Sequence, residues 1–359
     1  MRNGDGGGAG DRISKLPQDI LSHIVSFLNM KEALGTRALS KTWKSFWANQ
    51  FGHLRTLDFN MDHFRTRNRG VFFDYVDEVI RLLGPRNNVE GFRVRCYELQ
   101  DGDLPHFFTN LERIEDFLNY PRRIPVFLGT YLVIHTPNLV DLEIEQDRIL
   151  AIYEIPEIPS LRRANLSIGP HPDFITKGEF SAEEARRVML LLQGIRHASK
   201  LILYESATAA LSHVVDEENE PLPIFSNLLN LQLCIDNCYG WKLLPHFLNR
   251  SPNLKILQLA KRQDPYEGEP EVDFDVETYG WVEPLAAPFC LWLRLEQIKM
   301  TLLKRSKDEE NVIRFLLENS MVLEKMTINF ADYRDGGLLD KHMIEGFPRG
   351  SANCQLIFD

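Results

Sequence analysis

The residue types that could carry covalent or metal chemistry are present in this chain, but they do not group. Cys96, Cys234, Cys238, Cys290 and Cys354 are odd in number and scattered, which fits a reducing compartment better than a disulfide framework. Cys234-Ile-Asp-Asn-Cys238 has a C-x3-C spacing with His246 downstream, the start of a zinc site, yet no second pair stands at finger spacing. The two thiols therefore read as incidental, with Cys234 on the far side of a Leu231-Leu233-Ile235 strand and Cys238 in the turn that follows. Cys96, in Arg93-Val-Arg-Cys96, is the one thiol near basic residues, the setting that activates a thiolate; with no base in view it reads as a strand residue. No Gly-x-Gly-x-x-Gly follows a strand, no Gly-Lys-Ser/Thr phosphate loop or Gly-x-Ser-x-Gly elbow occurs, and the ten histidines form no His-Glu-x-x-His pair. The expectation is a chain without catalytic residues, cofactor or metal.

The residues that do group are apolar, so the chemistry to look for is association. In Asp11-Arg-Ile-Ser-Lys-Leu-Pro-Gln-Asp-Ile-Leu-Ser-His-Ile-Val-Ser-Phe-Leu28, Ile20, Leu21, Ile24, Val25 and Leu28 have the spacing of one helical face. Pro17 suits a first helical turn, where a missing N–H costs nothing. A short turn over Met30–Leu34 and a helix with Leu39, Trp43, Phe46 and Trp47 at intervals of three and four complete a set of three. Helices this short cannot bury two tryptophans and so many branched aliphatics among themselves. That surface goes either to a core shared with the rest of the chain or to a partner's groove.

Beyond residue 50 a phrase recurs: a small or proline-containing approach, Asn-Leu or a similar pair, then leucines at alternate positions. It stands at Thr136-Pro-Asn-Leu-Val-Asp-Leu-Glu-Ile144, at 158–168, 225–233 and 320–328, and at Ser251-Pro-Asn-Leu-Lys-Ile-Leu-Gln-Leu259. Period-2 apolar positions predict a short strand at the end of each unit. Between the units, Val71–Leu83 stops at Gly84-Pro85, Ser181-Ala-Glu-Glu184 opens a helix as a capping box, and Asn311–Leu317 is amphipathic. Anchor leucines fall 22 residues apart from Leu139 to Leu161 and 41 apart from Leu254 to Leu295, so the repeat is irregular and carries insertions. Stacked strand-and-return units make a curved solenoid with parallel strands lining one face. The acidic stretches Asp216–Glu220 and Asp264–Glu277, the second with seven carboxylates and no Lys or Arg, are expected to be solvated loops.

Composition agrees with a globular protein: 359 residues, 44% hydrophobic and 26% charged. The net charge of −10 argues against a nucleic-acid backbone as principal ligand. Residues 1–50 carry about +3 and the remainder about −13, so the larger part is expected to meet a neutral or basic surface. Residues 1–10 are a glycine-rich flexible tail without the apolar stretch of a signal peptide, and no run of about 18 apolar residues suggests a membrane span. Nucleus or cytoplasm is the expected location; Arg65-Thr-Arg-Asn-Arg69 is too sparse a basic cluster to read as an import signal.

Asp11-Arg-Ile-Ser-Lys-Leu-Pro-Gln-Asp-Ile-Leu, Phe27-Leu28, Ala38-Leu-Ser-Lys-Thr-Trp43 and Trp47, in that order over about 40 residues, resemble an F-box of the large plant family that joins it to leucine-rich repeats. Leu54-Arg-Thr-Leu-Asp-Phe59 resembles that family's first strand after the box. Gly35-Thr-Arg37 departs from the pattern, which is usually more aliphatic there. Farther on, Trp281-Val-Glu-Pro, Pro288-Phe-Cys-Leu291, Leu295-Glu-Gln-Ile298, the run 309–317 and Met321–Ile328 are similar to the C-terminal FBD module.

The resemblance implies an α/β fold: a three-helix F-box over 11–50, an irregular leucine-rich-repeat solenoid with parallel strands over 51–280, and an FBD-like segment over 281–359 that continues it. It also implies a non-catalytic substrate-recognition subunit of a Skp–cullin–F-box ubiquitin ligase. The box would dock a Skp-type adaptor, and through it a cullin and a RING subunit, while the repeats hold a protein substrate; no nucleic acid and no membrane are expected. By motif position the adaptor contacts are Leu16, Pro17, Ile20, Leu21, Ile24, Leu28, Leu39, Trp43 and Trp47. The alternative is an F-box scaffold that acts without substrate ubiquitination.

Overall fold

The computed structural model describes residues 12–51, 54–64, 69–83, 90–96, 130–133, 138–146, 151–154, 158–168, 182–212, 221–235, 240–261, 280–303, 306–330 and 341–358. The expectations for the glycine-rich tail, Ser181, Cys238, both acidic stretches and residues 65–68 fall outside them.

Three short helices open the chain as expected: α1 (Gln18–Val25), α2 (Met30–Gly35) and α3 (Lys41–Gln50). Pro17 is extended just ahead of α1, where its lack of an N–H is harmless. Asn29 and Glu32 form a reciprocal capping box at α2: the Asn29 carboxamide accepts from the Glu32 N–H at 2.9 Å, and the Glu32 carboxylate accepts from the Asn29 N–H at 3.3 Å. Ser40 caps α3 by accepting from the Trp43 N–H. Gly35 is the last residue of α2, before a 3-10 turn over Thr36–Ala38, and faces open space. The departure at Gly35-Thr-Arg37 is thus a helix boundary.

The rest is built on a ten-stranded sheet among the described residues, with every pair parallel. In spatial order it runs β1 (Thr56–Asn60), β2 (Gly91–Cys96), β4 (Asp141–Gln146), β6 (Arg163–Ile168), β7 (Lys200–Leu203), β8 (Asn230–Ile235), β9 (Ile256–Lys261), β10 (Gln297–Leu303), β11 (Lys325–Phe330) and β12 (Gln355–Phe358). β3 (Thr130–Val133) and β5 (Ala151–Glu154) pair with each other in a separate two-stranded sheet. Strands follow one another across the large sheet in chain order, so each parallel neighbour is reached by a crossover.

The repeated phrase has a structural cause. Two residues before the strand, Leu139, Leu161, Ala198, Leu228, Leu254, Leu295 and Leu323 are buried one above the next. The backbone then turns into the strand with one carbonyl taking two N–H groups from the following unit. Arg162 and Arg163 donate to Val140, Lys255 and Ile256 to Leu229, and Glu324 and Lys325 to Glu296. Because the strand starts are in step, side chains fall into rows. The second row (Leu57, Leu142, Leu201, Leu231, Leu257, Ile298) and the fourth (Phe59, Ile144, Leu166, Leu233, Met300, Ile328) are buried.

Helices α4 (Arg69–Leu83), α5 (Ala182–Gly194), α6 (Glu205–Ser212), α7 (Leu243–Arg250), α8 (Phe289–Leu293), α9 (Lys307–Asn319) and α10 (Lys341–Glu345) lie between strands. The buried side chains of these helices join the even rows in one hydrophobic core. The three predicted helical runs correspond to α4, α5 and α9. β7, α6, α10 and β12 went unread, although Leu201 and Leu203 alternate as a strand requires. The first three helices belong to the same core. Asp58 N–H donates to the Met30 sulfur at 3.4 Å, Lys31 donates to the His63 carbonyl at 2.7 Å while lying over the Phe64 ring, and Arg37 pairs with Glu78 at 2.8 Å.

Candidate functional site

The N-terminal helices divide the expected contact residues into two groups. Leu21 and Trp43 are 1% exposed and Trp47 is 3% exposed. Trp43, Phe46 and Trp47 meet edge to face, Trp47 packs on Phe51, and the Trp47 indole donates to the Thr36 hydroxyl at 2.8 Å. These three side chains are buried within the chain itself, where they join the three helices to the shared core. Leu16, Ile24 and Leu28 are half-buried against the same core. Pro17 is exposed, as are Ile20 at 45% and Leu39 at 63%.

Phe27, absent from the expected set, is the most exposed apolar side chain of the region at 76%; it packs edge-on with His23 at 4.9 Å. Ile20, Ile24 and Phe27 recur at i, i+4 and i+7, a stripe beside the inward stripe of Leu21, Val25 and Leu28. The helix and its following turn are thus apolar on two adjoining faces, and one core covers only one of them. The i, i+7 spacing from Ile20 to Phe27 was the signal that could have found it.

A second surface is the open face of the sheet, formed by the odd rows. There, charges from successive strands neutralise one another. Arg93 on β2 reaches Asp58 on β1 at 3.2 Å and Glu143 on β4 at 2.7 Å; Arg95 reaches Glu145 at 2.5 Å; Arg163 on β6 is paired with Asp141. The hydrogen bond from Arg163 holds the Asp141 carboxyl below its ordinary range against the opposing effect of burial.

Over the first and third rows the face presents Arg93, Arg163, Lys200, Lys299 and Lys325 against Asp58, Asp141 and Glu143. Among the described residues of these two rows, cations outnumber carboxylates although the whole chain is acidic. Net charge sums over all residues, whereas a partner meets one face. At the strand starts of β1 to β7 lies a cavity of about 290 Å³, lined by Thr56, Gly91, Arg93, Asp141, Leu142, Glu143, Arg163, Asn165, Lys200 and Ile202.

Of the thiols whose side chains are described, Cys234 and Cys290 show no activation. Cys234 lies on the open-face side of β8, opposite in direction to Leu233, yet it is buried, and burial together with the nearby Glu205 pushes its pKa up to about 12. Cys290 is buried and likewise raised to about 12. Such thiols stay protonated and unreactive. No helix among the described residues is long and apolar enough to cross a membrane.

Comparison with known proteins adds two family matches. Residues 13–53 match the F-box domain model, and residues 283–328 match the model of the FBD. A putative FBD-associated F-box protein of Arabidopsis thaliana is 26% identical over 391 aligned residues, covering 97% of this chain and 99% of the relative. An F-box/FBD/LRR-repeat protein of the same plant is 31% identical over 140 residues, covering 38% of this chain and 31% of the relative. An FBD-associated F-box protein is 23% identical over 433 residues, covering 97% and 100%.

Proposed function

The chain is a plant-type F-box/FBD protein with homologues in Arabidopsis, and from that premise we propose that it is the substrate-recognition subunit of a Skp–cullin–F-box ubiquitin ligase. F-box domains generally bind Skp1-type adaptors, and proteins of this kind are typically non-catalytic. The observation that carries the reading is that Pro17, Ile20, Phe27 and Leu39, in and beside helices whose own core is already filled by Leu21, Trp43 and Trp47, are left exposed. Apolar side chains of this size left in water are the material of an interface centre.

In this reading residues 11–50 dock the adaptor, which brings the cullin and RING subunits. Residues 51–280 form a leucine-rich-repeat solenoid, residues 281–359 extend it, and its open face presents a protein substrate. The assembly works in the nucleus or cytoplasm.

The test is capture of a purified Skp-type adaptor by the full chain. Ile20→Asp and Phe27→Asp are each expected to weaken capture by about thirtyfold or more, the equivalent of a hot spot of about 2 kcal/mol, with unchanged melting temperature. Trp43→Ala is expected to destabilise the chain by about 3–5 kcal/mol through loss of a core side chain. Full adaptor capture by the Ile20→Asp/Phe27→Asp double variant would remove the proposed surface. If the adaptor binds but no bound protein changes its half-life when the stripe is broken, the chain acts as a scaffold instead.

A further inference from the structure

We propose that the FBD carries a self-association surface: Phe289, Trp292, Leu293, Met321 and Val322 form an apolar patch through which two copies of this chain pair about a two-fold axis. The patch is contiguous. Phe289, Trp292 and Leu293 recur at i, i+3 and i+4 on α8, the spacing of one helical face. The Met321 N–H donates to the Leu291 carbonyl at 3.0 Å, which sets the turn before β11 against that helix. Exposure is 55% at Phe289, 49% at Trp292, 56% at Leu293, 49% at Met321 and 37% at Val322. The fold does not require these side chains. In the turns before β6, β8 and β9 the residue ahead of the buried leucine is polar and closes onto the preceding turn. Ser160 Oγ donates to the Leu139 carbonyl at 2.8 Å, the Asn227 carboxamide to that of His197 at 3.4 Å, and the Asn253 carboxamide to that of Ser226 at 2.9 Å. The residue one position earlier is Pro159, Ser226 or Pro252. At the same places before β10 and β11 stand Leu293-Arg294 and Met321-Val322, and Val322 has no donor for the closing bond. Large apolar groups left in water where a small polar turn suffices mark a contact surface.

Two features point to a second copy as the occupant, and the first is charge. Arg294 borders the patch beside Leu293. Glu318 borders it on the other side, where a Cβ on Gly350 would meet the Glu318 carbonyl at 2.6 Å and the Met321 sulfur at 3.0 Å. Both side chains are exposed, and neither forms an ion pair among the described residues. A patch with one charge of each sign at opposite borders matches its own two-fold image, each Arg294 facing the Glu318 of the other copy. A partner of a single sign would leave one of the two opposed by a like charge. The second feature is area. About half of the roughly 150–250 Å² of each aromatic and about half of the roughly 100 Å² of each aliphatic side chain give about 350 Å² of apolar surface per copy. Because about 60% of an interface is apolar, two such patches imply about 1,200 Å² buried in total, the lower end of specific, stable interfaces. In the order of the sheet, β10 and β11 lie at the end away from β1, so pairing here leaves the exposed side chains of α1 free on both copies.

Sedimentation velocity of the full chain, from nanomolar to high micromolar concentration, tests this. The expected result is a monomer–dimer equilibrium with a micromolar dissociation constant, as suits an interface at the small end of its class. Leu293→Asp and Met321→Asp are each expected to raise that constant about a hundredfold or more, because a two-fold axis repeats every substitution. Arg294→Glu and Glu318→Arg should each weaken pairing about tenfold by setting like charges together. An equimolar mixture of those two variants should pair as tightly as the unaltered chain, a rescue that occurs only where Arg294 faces Glu318 across the axis. The mass of a single copy at every concentration overturns the proposal and leaves the patch to a partner of another kind. So do dimers that persist in Leu293→Asp/Met321→Asp with normal melting, or charge variants that fail to rescue each other. Ile20→Asp/Phe27→Asp should leave pairing unchanged; loss of the dimer there assigns self-association to α1 and overturns the proposal as well.

Discussion

Lys261 and Glu309 form the most deeply buried ion pair among the described residues, at 2.6 Å with side chains 4% and 0% exposed. Lys261 is the last residue of β9, and Glu309 lies in the first turn of α9, where its other oxygen accepts from the Ser306 N–H at 2.9 Å. The carboxylate thus serves the helix N-terminus, which favours negative charge, and ties the FBD to the preceding strand. Removing one partner leaves the other buried and uncompensated. Lys261→Met and Glu309→Gln are each expected to cost about 3–5 kcal/mol, while the double variant should cost clearly less than their sum. Urea denaturation of the four chains decides it, and additive losses would mean the two side chains act independently. Both residues were visible in the sequence, but they are 48 positions apart, and no spacing rule joins them.

A helix cap is a local device, so the one at Asn29 was legible in the sequence although the reading did not name it. Asn29-x-x-Glu32 satisfies the backbone of α2 within four residues and needs no other part of the chain. Asn29→Ala should lower stability by about 1 kcal/mol, and Asn29→Gly by only a few tenths, as a shift of the urea midpoint at constant slope. A loss from Asn29→Gly equal to that from Asn29→Ala would show that the carboxamide does nothing the backbone cannot. Strand starts were legible where Asn-Leu precedes alternating leucines, as at Asn253-Leu254 before β9. They were missed where the anchor is Ala198 before β7, whose small side chain hides the phrase although its buried place is the same.

At the scale of the whole molecule, acidic and basic groups are sorted by the register of the sheet. Asp141 is held low by the hydrogen bond from Arg163, and Glu310 by that from Lys307 with Arg314 adding to it. A carboxyl whose folded pKa lies below its unfolded value stabilises the fold above the ordinary carboxylate range, about 4. That contribution is lost as pH falls through the lowered value. Stability should therefore hold from neutral pH down to that range and then decline. The Arg163→Met/Lys307→Met variant should show a shallower acid decline than the unaltered chain. Thermal melts across that interval check this, and parallel declines would mean other carboxylates carry the acid sensitivity.

The kinds of element were legible from residues close together in the chain. Three short amphipathic helices, strands of period 2, caps and the motifs of Leu16-Pro17 through Trp47 are written in residues that are near neighbours along the chain, and local backbone geometry turns such patterns into elements directly. Packing between distant segments, by contrast, set which apolar residues remain in water. Ile20 and Leu21 are adjacent and both strongly hydrophobic, and the difference between 45% and 1% exposure comes from which side of α1 turns to the shared core. It also decided the charge of the open face, because pairing across strands depends on a register set by residues far apart, and a slip of one position would turn Arg93, Glu143 and Lys200 into the core.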